Sequence, residues 1–246
     1  MLSGAGRILH VNRMGDHLSA NPALRPSEYT AALIQALRQR RHVVEGADAL
    51  EIGFGSGVVL AALGAMGAGA LCGVDIEAEA VESGAALLRD LGLAEVSTLH
   101  RGDMWGPVAG RRFGLIVANL PHFPMPPAEY GGRRPSWNSG GADGRRYLEV
   151  FVSGLSEHLA PGGRALLTHN AFSGLVATRA QVESAGLAMR PALTTLVHIT
   201  EEKLARMTAT VLAREEGRTI FRYGPYVFGE MLVVEIARPG DLDADG

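Results

Sequence analysis

The chain has 246 residues, 47% of them hydrophobic, and a formal net charge of −3 at pH 7. A chain of this length and composition buries a substantial core as one domain, and its charge balance excludes a broad nucleic-acid-binding footprint. A single cysteine, Cys72, excludes an internal disulfide framework, and with no apolar leader in residues 1–13 we expect a cytoplasmic protein.

Residues 52–74 carry no charged side chain and are long enough to cross a bilayer. Seven glycines interrupt this stretch, which divides it into strand, turn, helix, turn and strand. We therefore expect no membrane association.

Short apolar runs alternate with helical segments along the chain, a pattern that predicts a mostly parallel sheet with helices on both faces. The predicted strands cover 49–53, 70–75, 96–101, 115–119, 165–169, 195–199 and 231–237. Helices are predicted from Ser27 to about residue 40, from Val58, and over 76–91, 144–159, 174–185 and 200–214.

Three boundaries divide this pattern. Residues 1–43 are predicted as an N-terminal helical extension, and residues 44–238 as the main domain. Residues 200–229 are an insertion between the last two strands, because they exceed the usual length of such connections. The polar, acidic tail 239–246 is expected to be disordered.

The pattern E-x-G-x-G-x-G over residues 51–57 joins the end of a strand to the start of a helix. Gly53, Gly55 and Gly57 lack a Cβ, so their backbone can approach a ligand closely, and the helix start aims free N–H groups at it. A dinucleotide fingerprint has its third glycine where this chain has Val58. The pattern therefore indicates a different nucleotide-type cofactor, with a chance glycine-rich turn as the alternative.

Acidic side chains end the next two strands. Asp75 follows the glycine turn by about twenty residues, where a carboxylate can accept hydrogen bonds from ribose hydroxyls, and the alternative is an ordinary helix cap. Asp103 is placed to accept from an adenine amino group, with Met104 or Trp105 packed on the ring, and the alternative is a solvated turn residue. The carboxyl ends of parallel strands share one edge, so these groups should face one crevice with Glu51 and Asn119.

Two further motifs accompany the fourth strand and the helix after it. Asn119-Leu120-Pro121-His122 ends the strand, and Gly140-Gly141-Ala142-Asp143-Gly144 precedes the helix. With the glycine pattern, they resemble class I S-adenosyl-L-methionine (SAM) dependent methyltransferases. The closest resemblance is to the HemK-like N-P-P-Y group, which methylates glutamine amides, and to its relatives that methylate exocyclic amines of nucleic-acid bases.

This resemblance covers about residues 25–169. It implies an α/β Rossmann-like fold with a seven-stranded, mostly parallel sheet, and SAM as the cofactor. The residues expected to bind the cofactor are Glu51, Gly53, Phe54, Gly55, Gly57, Asp75, Ile76, Asp103, Met104 and Asn119. The residues expected to be catalytic are Asn119, Leu120, Pro121 and His122.

The catalytic motif suits methylation of a planar nitrogen, whose lone pair is delocalised and poorly nucleophilic. If the Asn119 side-chain oxygen and the Leu120 carbonyl each accept a hydrogen bond from an N–H of the acceptor, the nitrogen lone pair can turn toward the methyl group. Orientation of this kind can lower the activation barrier by roughly 7–11 kcal/mol. Pro121 stiffens this turn.

The motif departs from the family at two positions. Leu120 replaces the first proline, and His122 replaces the tyrosine that walls the substrate nitrogen. Phe123 is a candidate for a substitute aromatic wall. His122 is a candidate general base near neutral pH, and the alternative is a turn histidine without a role. The remaining histidines lack ligand spacing, so no metal site is expected.

The long connection 123–143 is predicted to be a lid or substrate wall, with Phe123, Tyr130 and Trp137 facing the substrate. A second aromatic group, Tyr223, Tyr226 and Phe228, is expected to close over the same strand ends. The alternative is that this group packs the insertion onto the core or forms a homodimer contact.

We expect a SAM-dependent methyltransferase that methylates nitrogen in a small amino- or amide-bearing metabolite. The small-molecule acceptor is favoured because about forty residues precede the sheet, whereas HemK-like glutamine enzymes carry a separate N-terminal substrate domain. The alternatives are an N-methyltransferase for a protein glutamine or an RNA base, and a noncatalytic SAM-binding partner subunit.

Overall fold

The computed structural model describes residues 25–126 and 139–243 of the chain. In this part of the protein, eight strands form one sheet in the order β3-β2-β1-β4-β5-β8-β6, with β7 paired to β8. The strands are β1 (Asp48–Ile52), β2 (Ala70–Asp75), β3 (Ser97–Arg101), β4 (Phe113–Ala118), β5 (Leu159–Asn170), β6 (Ala188–Ile199), β7 (Ile220–Tyr223) and β8 (Tyr226–Ala237).

The sheet is mixed. Strands β1 to β5 pair in parallel, and β8 runs antiparallel to β5, β6 and β7. The predicted α/β fold is confirmed, but the expected count of seven strands is wrong. The extra strand β7 lies in the insertion and pairs with the start of β8 through a turn in which Gly224 has a φ of +60°. Its four residues are too short to show a strand pattern.

Nine helices accompany the sheet within the described residues. They are α1 (Glu28–Gln39), α2 (Arg41–Val44), α3 (Val58–Ala65), α4 (Ala78–Asp90), α5 (Arg146–His158), α6 (Leu175–Ser184), α7 (Glu201–Arg206), α8 (Ala209–Glu215) and α9 (Pro239–Asp243). The described part of the chain holds no helix long and apolar enough to cross a membrane.

The helices form a layer on each face of the sheet because strand side chains alternate between the two faces. Leu50 and Ile52 of β1 pack in the cluster that contains the apolar side of α5. Ala49 belongs to the opposite cluster, which contains the buried residues of α1, α3 and α4.

Helix α1 is part of this second layer, although the sequence predicts it within an extension. Leu33, Ala36 and Leu37 are fully buried, so α1 contributes to the main core. The N-terminal end of α1 lies near the carboxyl end of β5, because Tyr29 donates a hydrogen bond to Asn170 over 2.9 Å.

The single helix predicted over 200–214 is two helices. The chain is extended at Met207, which is buried in a cluster with Phe123 and Phe172. The N–H of Thr208 donates to the carbonyl of Pro124 over 2.8 Å. A backbone hydrogen bond to a distant segment therefore separates α7 from α8.

The tail also differs from its expected disorder, because Pro239–Asp243 forms α9. The guanidinium groups of Arg164 and Arg190 donate to the carbonyls of Asp241 and Leu242 over 2.6 and 2.7 Å. Residues 244–246 lie outside the described residues.

Candidate functional site

A cavity of about 620 Å³ lies at the carboxyl ends of the parallel strands. Its floor is formed by the ends of β1, β2 and β4, and the start of α1 forms one side. Among the predicted site residues it is lined by Glu51, Gly53, Phe54, Gly55, Asp75, Ile76, Asp103, Met104, Asn119, Leu120, Pro121, His122 and Phe123.

The glycine turn has the backbone geometry that its sequence predicts. Gly53, Gly55 and Gly57 have φ values of +72°, +52° and +77°, a region that other residues enter at a cost. A Cβ at Gly53 would lie 3.3 Å from the Leu120 side chain. A Cβ at Gly57 would instead lie 3.1 Å from the Cα of Gly84 in α4. Gly53 and Gly55 therefore border the cavity, whereas Gly57 permits α3 to approach α4.

Asp75 holds this turn. One of its carboxylate oxygens accepts from the N–H of Gly55 over 2.8 Å, and the other accepts from the N–H of Glu77 over 3.0 Å. Burial raises the pKa of Asp75, and these backbone hydrogen bonds oppose the increase. A carboxylate can accept about four hydrogen bonds, so Asp75 keeps capacity for a ligand beside these two backbone groups.

Glu51 has an unusual environment for a carboxyl group. Its side chain is buried, and no described residue bonds its Oε2 atom. Burial raises the pKa of Glu51 well above its ordinary value, a hydrogen bond from the Leu60 backbone opposes this, and the charge of Asp75 adds to it. A cationic group in the cavity would compensate this carboxyl group.

The third strand end contributes Asp103 and Met104, which line the cavity beside Ile76. Met104 has a φ of +45°. Trp105 does not take the adenine-packing position that the sequence offers for it. Its ring stacks on His158 with centroids 4.4 Å apart, and its Nε1–H donates to the carbonyl of Val150 over 3.1 Å.

Both polar atoms of the Asn119 side-chain amide form hydrogen bonds. Its Oδ1 accepts from the Thr168 hydroxyl over 2.8 Å, and its Nδ2 donates to the Thr30 hydroxyl over 3.4 Å. Thr168 is fully buried near the carboxyl end of β5, and Thr30 forms the capping box of α1 with Ser27. Two segments distant in sequence, β5 and α1, thus determine the direction of the Asn119 carbonyl.

His122 is buried beside Asn119. Its Nδ1–H donates to the Leu120 carbonyl, which assigns the remaining lone pair to Nε2. No described residue bonds Nε2, and the ring packs edge-on to Tyr29 with centroids 5.3 Å apart. Burial lowers the pKa of His122 to about 4, so the ring is neutral at physiological pH.

The segment 140–144 packs directly on the loop that holds His122. A Cβ at Gly144 would lie 2.6 Å from the Ser173 hydroxyl and 2.7 Å from the His122 carbonyl, and one at Gly140 would lie 2.8 Å from the His122 Cα. The Ser173 hydroxyl donates to the His122 carbonyl over 2.7 Å. The glycines of this motif therefore make room for the loop 119–123.

Of the aromatic residues predicted to surround the substrate, Phe123 lies at the cavity and the group near β8 does not. Phe123 lines the cavity and packs edge-on to Phe172 with centroids 5.4 Å apart. Tyr130 and Trp137 lie outside the described residues. Tyr223 and Tyr226 are each 59% exposed, and neither they nor Phe228 line the cavity. These rings pack on each other and on His198 at the hairpin, and closure by this second aromatic group stays a prediction.

Comparison with known proteins decides the family. No protein-family model matches the chain. A release factor glutamine methyltransferase of Xylella fastidiosa is 31% identical over 179 residues, which are 70% of this chain and 64% of that relative. A candidate protein N5-glutamine methyltransferase of Methanocaldococcus jannaschii is 30% identical over 155 residues, which are 61% of this chain and 76% of that relative. The chain belongs to the HemK-like family of class I SAM-dependent methyltransferases.

Solved structures support the fold of this family. A candidate RNA methyltransferase of Pyrococcus horikoshii aligns with a TM-score of 0.59 at 14% identity, over 87% of this chain and 90% of its own. A chain of the Mtq2–Trm112 complex of E. cuniculi aligns with a TM-score of 0.56 at 17% identity, over 87% of this chain and 97% of its own. The chain spans less than two thirds of the length of the first curated relatives.

The cavity fits the cofactor of the HemK-like family. A Cβ at Gly53 would make a tight 3.3 Å contact with the Leu120 side chain, Asp75 keeps acceptor capacity, and the Oε2 atom of the buried Glu51 lacks a partner among the described residues. The sulfonium and ammonium groups of SAM are cations, which an acidic pocket of this kind favours.

Several lining residues are absent from the sequence-based prediction: Tyr29, Thr30, Asn170 and Lys203 line the cavity, and Thr168 supports it. A usable signal exists for two of them. Thr168 and Asn170 are polar residues at the carboxyl end of an apolar strand, where ligands bind in open parallel sheets.

Proposed function

We propose that the protein transfers a methyl group from SAM to the side-chain amide nitrogen of a glutamine in a protein. The observation that carries the proposal is the Asn119 carbonyl, which Thr168 and Thr30 hold in one direction at the cavity. The named activities of the relatives support the same acceptor, since they are glutamine methyltransferases for release factors and for ribosomal protein uL3.

The small-metabolite acceptor favoured by the sequence has no support among these curated relatives. That expectation depends on the short segment before β1 and on a wall formed by Tyr130 and Trp137, which lie outside the described residues. A protein glutamine, which the sequence offers as an alternative, therefore becomes the better proposal.

Two carbonyl groups are available to orient the amide. The Asn119 Oδ1 accepts one hydrogen bond from Thr168, and the Leu120 oxygen accepts one from His122. A carbonyl oxygen has two lone pairs, so each retains one for an N–H of a primary amide. Together they can hold both N–H groups and turn the nitrogen lone pair out of conjugation. SAM supplies an electrophilic methyl group on a cationic sulfur that is a good leaving group.

The proton released from the methylated nitrogen also has an acceptor. His122 donates its Nδ1–H to Leu120, so its Nε2 lone pair is available. An amide protonated on nitrogen is a far stronger acid than imidazolium, so a histidine with a pKa of about 4 suffices to accept this proton. The histidine at the family's tyrosine position then acts as a base that is neutral at physiological pH.

Methyl transfer from labelled SAM tests this function. The purified protein is incubated separately with a protein extract, an RNA extract and a metabolite extract. We expect label in the protein fraction and loss of label with Asn119→Ala. Label in RNA or metabolites alone would reject the glutamine acceptor, and SAM binding without transfer to any fraction would indicate a noncatalytic subunit.

A further inference from the structure

Lys203 of α7 lies at the acceptor side of the cavity, together with Tyr29 and Phe123. Its Nζ atom is 5.9 Å from the centre of the Tyr29 ring and 5.8 Å from the centre of the Phe123 ring. Both rings are buried, and the lysine is half-buried. The ammonium group is therefore held against two aromatic rings at the edge of the site.

This ammonium group has no carboxylate partner among residues 25–126 and 139–243. On the same helix, Glu202 pairs with Arg206 over 3.6 Å and so does not serve Lys203. The positive charge also reaches the site, since it contributes to the lowered pKa of His122. Ring contacts replace part of the hydration of a lysine but do not neutralise its charge.

The cavity lining carries four acidic residues, Glu51, Asp75, Glu77 and Asp103, and two cationic residues, Arg25 and Lys203. Asp75 and Asp103 lie where the nucleoside part of the cofactor is proposed to bind, and Glu51 lies beside the glycine turn. Lys203 lies near His122 and Phe123. An anion bound near Lys203 would be compensated, and a cation there would be repelled.

We propose that Lys203 binds a carboxylate beside the methyl-accepting nitrogen. This carboxylate has two possible sources. The first is an acidic side chain that flanks the acceptor glutamine, and for this source the inference rests on the proposed function. The other source is the carboxylate in the methionine part of the cofactor. Lys203 is then a residue that determines specificity, contributed by an insertion outside the catalytic motifs.

Binding measurements separate the two sources. Calorimetry compares S-adenosylhomocysteine with methylthioadenosine, which lacks the amino acid carboxylate, on the wild type and Lys203→Gln. If the cofactor supplies the carboxylate, Lys203→Gln weakens S-adenosylhomocysteine about tenfold and leaves methylthioadenosine unchanged. If the acceptor supplies it, neither affinity changes.

The acceptor source is measured with two capped peptides that contain one glutamine, flanked by Asp in the first and by Asn in the second. Their affinities for the protein saturated with S-adenosylhomocysteine need no turnover, so this readout is independent of whether glutamine is methylated. We expect the wild type to prefer the Asp peptide about tenfold, Lys203→Gln to lose this preference, and Lys203→Arg to keep most of it.

Two controls complete the design. Arg206→Gln removes a cation from the same helix outside the cavity and should change none of these affinities. Glu129→Gln tests the acidic residue of the segment 127–138 as an internal partner. The proposal is wrong if Lys203→Gln changes neither the cofactor affinities nor the peptide preference. It is also wrong if the only effect of Glu129→Gln and of Lys203→Gln is an equal loss of stability, because Glu129 would then be the partner of Lys203.

Discussion

Glu51, Asn119 and His122 border the same cavity, but their polar atoms differ in how they are satisfied. Asn119 has a partner for both ends of its amide, whereas Glu51 Oε2 and His122 Nε2 have none among the described residues. Unsatisfied buried polar atoms destabilise a fold, and a ligand bound in the cavity would satisfy those of Glu51 and His122.

Replacing Glu51 separates the destabilisation caused by its buried carboxyl group from the role of that group in SAM binding. The folded pKa of Glu51 is raised well above its ordinary value of 4.5, so the folded state keeps a proton that the unfolded state releases. Stability therefore falls as pH rises from 4.5 to the folded pKa and is constant above it. We expect Glu51→Gln to remove this slope, to raise Tm at pH 7 by about 2–4 °C for each kcal/mol gained, and to weaken SAM binding.

Thermal unfolding between pH 4 and 8 and calorimetry with SAM measure both effects. Glu95→Gln, at an exposed position, is the matched control and should change neither quantity. A lower Tm for Glu51→Gln with an unchanged pH slope would contradict the assigned role of this buried carboxyl group.

Asn119 is predicted to act on the acceptor rather than on the cofactor. Asn119→Ala should leave SAM affinity within a small factor while kcat falls by about 100-fold or more, because orientation of the amide is lost. Thr168→Val removes the hydrogen bond to Asn119 Oδ1 and should lower kcat by a smaller factor at unchanged SAM affinity. Normal turnover of Asn119→Ala would refute the orienting mechanism.

At the scale of elements, segments distant in sequence meet at the loop 119–123. Helix α1 contacts the end of β5 across 141 positions of sequence, through the Tyr29 and Asn170 side chains. The segment 140–144 packs on the His122 backbone from the other side. The loop 119–123 is thus held by its surroundings more than by its own sequence, which lacks one proline of the family motif.

Gly144→Ala tests this support. Gly144 has a φ of +80°, and a Cβ there would meet both Ser173 and His122. Gly186→Ala is a matched control, since Gly186 has a φ of +74° and no atom within 4 Å of the added Cβ. The control should cost about 1–2 kcal/mol of unfolding free energy, and Gly144→Ala about 1–3 kcal/mol more together with a loss of turnover. Equal losses in the two variants would show that close packing on His122 is unimportant.

The sequence predicts the elements that local patterns determine. The predicted and observed ends of β2 coincide at Asp75, and the three positive φ values of the glycine turn follow from its composition. Lys203 is not predictable in this way. Its place at the cavity depends on the break between α7 and α8. This break is stabilised by a backbone hydrogen bond from the N–H of Thr208 to the carbonyl of the distant Pro124. Long-range contacts of this kind leave no local periodicity.

At the scale of the whole molecule, the buried carboxyl groups of Glu235 and Glu51 differ in their electrostatics. The carboxylate of Glu235 in β8 pairs with Arg40, Arg164 and Arg190 over 3.1, 2.9 and 2.9 Å. Burial raises the pKa of Glu235, but these arginines more than offset it, so the net pKa is lowered. These ion pairs stabilise the fold, whereas the unsatisfied polar atoms of Glu51 and His122 lie at the cavity.

Removing the charge of Glu235 should therefore be costly. Glu235→Gln is expected to lower the unfolding free energy by about 3–5 kcal/mol, because three guanidinium groups, of which that of Arg164 is buried, lose their shared carboxylate. The wild-type contribution is present above pH 4.5 and is lost as pH falls through the lowered folded pKa. Denaturant unfolding at pH 7 measures the difference. Glu202→Gln, in an exposed pair with Arg206, is the control and should change stability by less than about 1 kcal/mol, whereas similar losses in both variants would contradict the prediction.

The central claim is that the cavity at Asn119 directs methyl transfer to a glutamine amide nitrogen. Its most direct test is to digest the protein fraction labelled from isotopic SAM and to locate the methyl group by fragmentation mass spectrometry. We predict the label on the side-chain nitrogen of a glutamine, absent when Asn119→Ala replaces the wild type and absent when that glutamine is replaced by asparagine. Label on an arginine, lysine or carboxyl oxygen, or no label in protein at all, would contradict the claim.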